Sequence, residues 1–228
     1  MSTPPSEPPE PTGDRATGDG HYFSSTPAVA SRRRTISLAL PDVTLALTTD
    51  TGVFSADRVD PGTKLLLQEA PAPSDGAGHV LDLGCGYGPI AVTLARRAQT
   101  ATTWAVDVNE RAVALCSENA AANDVVVRAV QVAADGEAVA GGVEWPRFDL
   151  IWSNPPIRIG KPALHRLLHT WLARLAPEGR AVLVVQKHLG ADSLAAWLDR
   201  EGHPTTRLAS RAGYRLLEVR AGTEEDHA

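Results

Sequence analysis

The sequence predicts an α/β fold: a mostly parallel, seven-stranded sheet with helices on both faces, an antiparallel last strand and an N-terminal β-hairpin. Three observations predict it. From His79 onward, short apolar runs alternate with amphipathic stretches, the pattern of repeated β-α units. The first of these runs ends in Gly84-Cys85-Gly86-Tyr87-Gly88, a tight glycine-rich turn between strand and helix. The last two strands, at 205–210 and 214–220, have no helix between them and so must pair antiparallel.

Taken in order, residues 1–20 are rich in Pro, Glu, Thr and Gly, hold almost nothing apolar, and are expected to be a disordered tail. Residues 21–222 are expected to form a single domain, with the hairpin and a helix in 21–70 and the main sheet in 78–222; residues 223–228 are an acidic tail. Tyr22 and Phe23 either pack the start of the fold or reach into a site. Arg32-Arg33-Arg34 precede a strand at 35–40, Pro41-Asp42 makes a turn, and 43–48 is the second strand of the hairpin. The three arginines either form a solvated edge that discourages strand pairing or contact phosphate. Gly52-Val53-Phe54-Ser55 is a loop. Asp60 and Pro61 open a helix as N-cap and first-turn proline, and 71–78 is a linker.

Beyond it, strands are expected at 79–83, 102–108, 125–133, 148–153 and 180–186. Helices are expected at 89–98, 110–122, 162–176 and 191–201. The helix at 162–176 has the clearest periodicity, with Leu164, Leu167, Leu168, Trp171, Leu172 and Leu175 on one stripe.

Composition narrows the function. The chain is 43% hydrophobic and 21% charged, as one globular domain with tails would be. No apolar run approaches the roughly 18 residues of a membrane span, and no hydrophobic signal region opens the chain, so a cytoplasmic protein is expected. Cys85 and Cys116 are too few for a disulfide framework and read as packing residues; no Cys/His spacing suggests zinc, and no metal is expected. The net charge of −5 lies in the tails. Without the four acids and Arg15 of residues 1–20 and the three acids of 223–228, 21 basic residues face 20 acidic ones. Such a body is no general nucleic-acid binder, although it can carry a local basic face.

The chemistry concentrates after the strand Phe148-Asp149-Leu150-Ile151-Trp152-Ser153, which runs into Asn154-Pro155-Pro156-Ile157. Consecutive prolines stiffen the loop and supply no N–H donors. The loop therefore offers carbonyl oxygens and the Asn154 amide oxygen, with little competition expected from its own backbone. A rigid cluster of acceptors at the carboxyl end of a buried strand suits gripping an amino group. In the glycine turn the spacing is GxGxG, with Asp82 two residues before the first glycine, and not the GxGxxG of a dinucleotide site. Asp107 ends the next strand, 23 residues after Gly84, where a carboxylate can accept from both hydroxyls of a ribose. Asp135 either accepts from a base amino group or serves its own turn before Gly136.

With these residues the chain resembles the class I S-adenosylmethionine-dependent methyltransferases. Leu81-Asp82-Leu83-Gly84-Cys85-Gly86-Tyr87-Gly88 is similar to that family's first motif, Asp107 to its ribose-binding acid, and Asn154-Pro155-Pro156-Ile157 to the fourth motif of members that methylate amino nitrogens. Over residues 21–220 the closer resemblance is to the small-subunit ribosomal RNA guanine-N2 methyltransferases and their short single-domain relatives. It is carried by Gly52-Val53-Phe54-Ser55, Asp60-Pro61-Gly62-Thr63, Asp107-Val108-Asn109-Glu110-Arg111-Ala112, Gly160-Lys161 and His188-Leu189-Gly190.

The resemblance implies a Rossmann-like class I methyltransferase fold. It implies S-adenosyl-L-methionine as cofactor, held by Asp82, Gly84, Cys85, Gly86, Gly88, Asp107, Val108, Asp135 and Asn154. It implies catalysis by Asn154 and Pro155 and substrate contacts from Pro156, Ile157, Arg158, Lys161 and Phe54, with ribosomal RNA or a small ribosomal subunit particle as partner and no membrane. Tyr22, Phe23, Phe54 and Trp152 are further candidates for walls around an unstacked base, with Trp152 read first as core. Lys187 and His188 are surface charges or phosphate contacts.

Two departures stand out. The two-domain bacterial members carry an additional N-terminal domain with no counterpart expected here, so RNA positioning is expected to differ. Ile157 stands where an aromatic is usual, and can wall a base without stacking on it. A protein-glutamine or DNA-adenine methyltransferase, and a non-catalytic cofactor-binding module, are the competing readings. The glycine spacing disfavours a nicotinamide oxidoreductase.

Overall fold

The computed structural model describes residues 29–222. The expected tails at 1–20 and 223–228, with Tyr22 and Phe23, lie outside the described residues. The hairpin pairs β1 (Arg34–Ala39) with β2 (Thr44–Thr49), Leu38 opposite Leu45. Leu38, Leu40, Leu45 and Leu47 are buried while Ser37, Ala39, Thr44 and Ala46 are exposed, so the hairpin has one core-facing side. Arg33 pairs with Glu118 at 2.5 Å and Arg34 with Asp57, so two of the three arginines end on carboxylates at the surface.

The main sheet runs β5 (Arg128–Gln131), β4 (Thr102–Asp107), β3 (His79–Leu83), β6 (Phe148–Ser153), β7 (Leu175–Gln186), β9 (Tyr214–Arg220), β8 (Thr205–Arg211). Strands β3 to β7 are parallel, and β9 is antiparallel to both of its neighbours. Strand alternation divides the core between the two faces. Leu150, Trp152, Val182 and Val184 point to the side covered by the hairpin, α1 (Pro61–Glu69), α2 (Pro89–Arg97) and α3 (Glu110–Ala122). Ile151, Ala181, Leu183 and Val185 point to the side covered by α4 (Lys161–Leu172) and α5 (Ala191–Arg200). Burial on both faces is why these strands read as unbroken apolar runs. Trp152 is fully buried and belongs to the core.

Two expectations need correction. The helix expected to reach residue 176 ends at Leu172, and β7 already starts at Leu175, paired with Phe148. Leu175 keeps helical spacing from Leu168 and Leu172 but buries itself in the sheet, and Pro177 disfavours helix for the residue before it. The strand expected over 125–133 is only the four residues of β5, an edge strand paired on one side, with Val126 almost fully exposed just before it. Among the described residues no helix is long and apolar enough to cross a membrane, and no group of three or more His, Cys, Asp or Glu is placed to hold a metal ion.

Candidate active site

The chain leaves β3 toward β4 on one side and returns as β6 on the other. The strand order therefore switches direction between β3 and β6, where open α/β sheets bind ligands at the carboxyl ends. Leu83 and Ser153 are paired there, and the Ser153 hydroxyl donates to the Leu83 carbonyl at 2.7 Å. Gly84 and Asn154 are the next residues of their strands, so the two sequence motifs begin side by side.

The glycine turn is tied to β4. The Gly84 and Cys85 N–H groups both donate to the Val106 carbonyl at 2.9 Å, and the Gly86 N–H donates to Asp107 Oδ2 at 2.9 Å. The second Asp107 oxygen accepts the Asn109 N–H at 2.9 Å. Gly84 and Gly86 have φ of +76° and +54°, and a Cβ on either would meet only open space. Their bare backbone is what a ligand would approach. Gly88 is different: its Cβ would lie 2.8 Å from Cys116 Sγ, so its missing side chain makes room for α3. The Cys85 and Cys116 thiols are free and buried together with Ala91 and Ala105. Val108 is half-buried, and its carbonyl accepts from Gln131 Nε2 at 3.1 Å.

Asp82 is fully buried. One oxygen accepts the Ala91 N–H at 2.9 Å in the first turn of α2, whose own N-cap, Gly88, has no side chain to do so. The other oxygen has no hydrogen-bond partner among the described residues. Burial pushes the Asp82 carboxyl well above the usual range, and the charge of Asp107 pushes it further. Asp107 is also raised by burial, against backbone donors from Asn109, Gly86 and Val108 that favour its charge. Two carboxyl groups, one of them with an oxygen unused among the described residues, thus lie under the glycine turn; burial favours their neutral forms, and a cationic ligand would favour the charged ones, where a pyrophosphate would not. An aminoacyl sulfonium compound such as S-adenosylmethionine fits this donor set; a nicotinamide dinucleotide does not.

Asn154 is half-buried, and its Nδ2 donates to Asp60 Oδ2 at 2.9 Å and to Thr63 Oγ1 at 3.0 Å. Asp60 Oδ2 also accepts the N–H groups of Gly62 and Thr63, at 2.7 and 3.1 Å, as the N-cap of α1. With the amide nitrogen tied back, Oδ1 points the other way.

The prolines supply less freedom from competition than expected. The Pro155 carbonyl accepts the Ile157 N–H at 2.8 Å, closing a γ-turn, and the Pro156 carbonyl accepts the Ile159 N–H at 3.1 Å in the short 3₁₀ turn over Ile157–Ile159. One lone pair remains on the Pro155 carbonyl. Ile157 and Ile159 pack against the core on the α4 face, and Arg158 between them is exposed, as is Lys161 at the start of α4. Lys187 and His188 are exposed on the turn after β7, at the same edge of the sheet.

The loop carrying Phe54 is pinned at both ends. Asn109 Nδ2 donates to the Gly52 carbonyl at 2.7 Å, Arg111 donates to the Thr51 carbonyl at 2.6 Å, and the Tyr87 hydroxyl meets the Arg58 carbonyl at 3.4 Å. Val53 is buried beneath it while Phe54 is 45% exposed. Asp135 sits in an exposed turn, where it accepts the Glu137 N–H at 3.0 Å; the turn packs on α4, with Gly136 against Thr170. Its carboxylate is used within its own turn.

Read from the residues, Asp60 is a cap; Asp60-Pro61-Gly62-Thr63 enters otherwise only as a carrier of the resemblance, with no site role, and Gln186 and Tyr214 only as strand ends. Tyr214 lies against Gly62, where a Cβ would meet its ring at 2.6 Å, and its hydroxyl accepts from Gln186 Nε2 at 3.1 Å. Nothing local marks these residues, because each contact joins segments distant in sequence.

A family model described as methyltransferase small domain matches residues 44–218. YbxB, an uncharacterized protein of Bacillus subtilis, is 34% identical over 201 residues, 88% of this chain and 98% of its own. Ribosomal RNA small subunit methyltransferase C of Shewanella oneidensis is 34% identical over 164 residues, 70% of this chain and 45% of its own. The chain thus spans about half the length of the curated methyltransferase C relatives it matches. Among solved structures, the Thermus thermophilus 16S rRNA N2 G1207 methyltransferase, in complex with AdoMet and guanosine, superposes with a TM-score of 0.71 at 28% identity, over 85% of this chain and 52% of that one. The chain belongs to the methyltransferase small domain family, and its fold and enzyme class are those of the S-adenosylmethionine-dependent methyltransferases.

Proposed function

We propose that this enzyme methylates the exocyclic N2 amine of a guanine in small-subunit ribosomal RNA. The observation that carries the reading is the Asn154 amide, its nitrogen tied back to Asp60 and Thr63, on the strand end next to the glycine turn. The similarity to enzymes named for small-subunit RNA, one of them solved with AdoMet and guanosine, supports the same substrate class.

S-adenosylmethionine, when bound, supplies an already activated methyl group on a sulfonium. Asp82, Asp107 and the backbone of Gly84, Cys85, Gly86 and Val108 are the residues assigned to hold it. The difficulty left to the protein is the nucleophile, because a guanine amine has its lone pair delocalised into the ring. Asn154 Oδ1 and the remaining lone pair of the Pro155 carbonyl accept the two N–H bonds. This turns the nitrogen lone pair out of the ring plane and fixes its direction, so the contribution is orientation and preorganised electrostatics. No general base is needed before transfer, since the methylated, charged nitrogen is acidic and loses its proton afterward. A neutral Asn also adds no further carboxylate to a site that already holds Asp60, Asp82 and Asp107.

Phe54, on its pinned loop, supplies the aromatic surface that Ile157 lacks, and Pro156 and Ile157 form the opposite wall. Arg158 and Lys161 meet phosphates flanking the flipped base. With a nearly neutral body, affinity for bare RNA is modest, and an assembled subunit supplies the remaining contacts.

The test is transfer of labelled methyl to separate pools of small subunits, large subunits, free RNA and total protein, followed by digestion. N2-methylguanosine from small subunits is the expected product. Methylglutamine or methyladenine would replace the substrate assignment. Bound cofactor with no labelled product from any pool would favour a non-catalytic module.

A further inference from the structure

The glycine nook and the Asn154 loop account for cofactor and amine, but not for the side chains that meet Asn154 from 91 and 94 residues away. The two ends of an Asn amide have the same shape and opposite chemistry. With its oxygen toward the substrate, the amide accepts an N–H; flipped, it offers donors to an amine and cannot grip it. Something must therefore choose between the orientations, and the backbone of the Asn-Pro-Pro turn does not.

We infer that Asp60, assisted by Thr63, is the positioning residue that sets the direction of the Asn154 amide. The inference rests on the proposed role of Asn154 as amine acceptor. An ionised carboxylate only accepts, so the amide nitrogen must face Asp60 Oδ2, at 2.9 Å, and a flip would set oxygen against oxygen. Thr63 Oγ1 takes the second N–H at 3.0 Å, which leaves the amide no donor facing the substrate side. The negative charge on Asp60 also polarises the amide toward its oxygen, strengthening it as an acceptor for a nitrogen that is gaining positive charge.

The support for this arrangement is itself rigid. Asp60 is held as the N-cap of α1 by the Gly62 and Thr63 N–H groups, and Pro61 fixes the first turn. Gly62 lies against the Tyr214 ring, which Gln186 holds through its hydroxyl, so the start of α1 is braced against β7 and β9. The buried Tyr87, whose hydroxyl is pushed up by burial first and by the nearby Asp60 second, closes the other side of this corner. The stretch Asp60-Pro61-Gly62-Thr63 thus does two jobs: it starts a helix and points a side chain.

The test separates these jobs. Asp60→Ser keeps an equally good cap but is too short to reach Asn154. Asp60→Asn keeps the length and an accepting oxygen. Thr63→Val removes one acceptor and leaves the cap untouched. The side-chain amide of Asn154 is followed by NMR, assigned by its loss in Asn154→Ala, and its hydrogen exchange is measured beside kcat, KM for S-adenosylmethionine and thermal stability.

Asp60→Ser is expected to speed exchange of that amide at least about tenfold. It is expected to lower kcat on the order of 10- to 100-fold with KM for the cofactor within about twofold, and Asp60→Asn to recover part of the loss. Slow exchange and unchanged kcat in folded Asp60→Ser would overturn the inference. Should Asp60→Ser not fold, wild-type exchange in Thr63→Val would do the same. If the wild-type enzyme transfers no methyl to guanine, the substrate reading falls, while amide exchange still decides whether Asp60 holds Asn154.

Discussion

The Gly86 N–H donates to Asp107 Oδ2 at 2.9 Å, joining the glycine turn after β3 to the last residue of β4. One carboxylate therefore shapes the cofactor nook and is also the residue assigned to the ribose. Its other oxygen accepts from Asn109, which caps α3 and reaches the Gly52 carbonyl with its side-chain amide. The cofactor nook and the Phe54 loop thus share a chain of hydrogen bonds. Asp107→Ala should weaken S-adenosylmethionine binding by about 10- to 100-fold, the loss of one or two charge-assisted hydrogen bonds, as read by calorimetric titration. Unchanged affinity would remove Asp107 from the cofactor site.

Asp82 separates stability from binding. Its carboxyl is raised by burial, so its contribution to stability is fully present below the unfolded value near 3.8 and is lost as pH rises through the raised folded value. At neutral pH the free enzyme carries that cost. Asp82→Asn, whose amide oxygen can still accept from Ala91, should melt at or above the wild-type temperature between pH 6 and 8, roughly 2–4 °C higher for each kcal/mol recovered. The same variant should bind S-adenosylmethionine more weakly. Wild-type affinity should in turn fall as pH drops through the raised carboxyl range, because protonation removes the negative charge that attracts the cation. A variant that melts lower and binds normally would make Asp82 a helix cap only.

Asn154→Ala should reduce methyl transfer by about 100-fold or more while cofactor affinity stays within several-fold. Asp60 keeps its two N–H donors in α1, so the fold should hold. Near-normal turnover in single-turnover assays would defeat the orientation mechanism.

Much of this could be read from the chain. The β-α alternation is plain because β3, β6 and the 181–185 stretch of β7 are buried on both faces and therefore mostly apolar. The glycine turn and Asn154-Pro155-Pro156 are local patterns with local causes. What escaped is tertiary. Asn119 bonds both backbone groups of Thr48 and Asn123 those of Ala46, so α3 covers the edge of β2 across more than 70 residues. The Asn154 clasp on Asp60 is of the same kind. Where one role sufficed to explain a residue, as capping did for Asp60, nothing in its local pattern called for a second, although Asp60-Pro61-Gly62-Thr63 is among the segments that carry the family resemblance. Leu175 failed in the opposite way: it satisfies a helical stripe and a strand equally, and only its pairing with Phe148 decides.

Phe54 is the exposed aromatic on the pinned loop, while Val53 beneath it is buried. Phe54→Ala should therefore leave melting temperature and cofactor affinity unchanged. It should lower kcat/KM for the RNA substrate by roughly tenfold, the loss of about 1–3 kcal/mol of base stacking. An equal loss of cofactor affinity would instead place Phe54 against the cofactor.

Gly84 and Gly88 share a positive φ and a motif but face different neighbours. A Cβ on Gly84 enters open space, so Gly84→Ala costs stability only through its left-handed backbone, about 1 kcal/mol, and fills the room that the proposed cofactor site would use. A Cβ on Gly88 meets Cys116 Sγ at 2.8 Å and the Cys116 backbone at 3.1 Å, so Gly88→Ala adds overpacking of about 1–3 kcal/mol to the same backbone strain. Thermal melts paired with S-adenosylmethionine titrations should therefore cross: Gly88→Ala melts lower than Gly84→Ala, while Gly84→Ala binds the cofactor more weakly than Gly88→Ala. If both variants lost binding equally at equal stability, Gly88 would be a ligand-facing residue like Gly84, and the division of the motif between cofactor and helix packing would not stand.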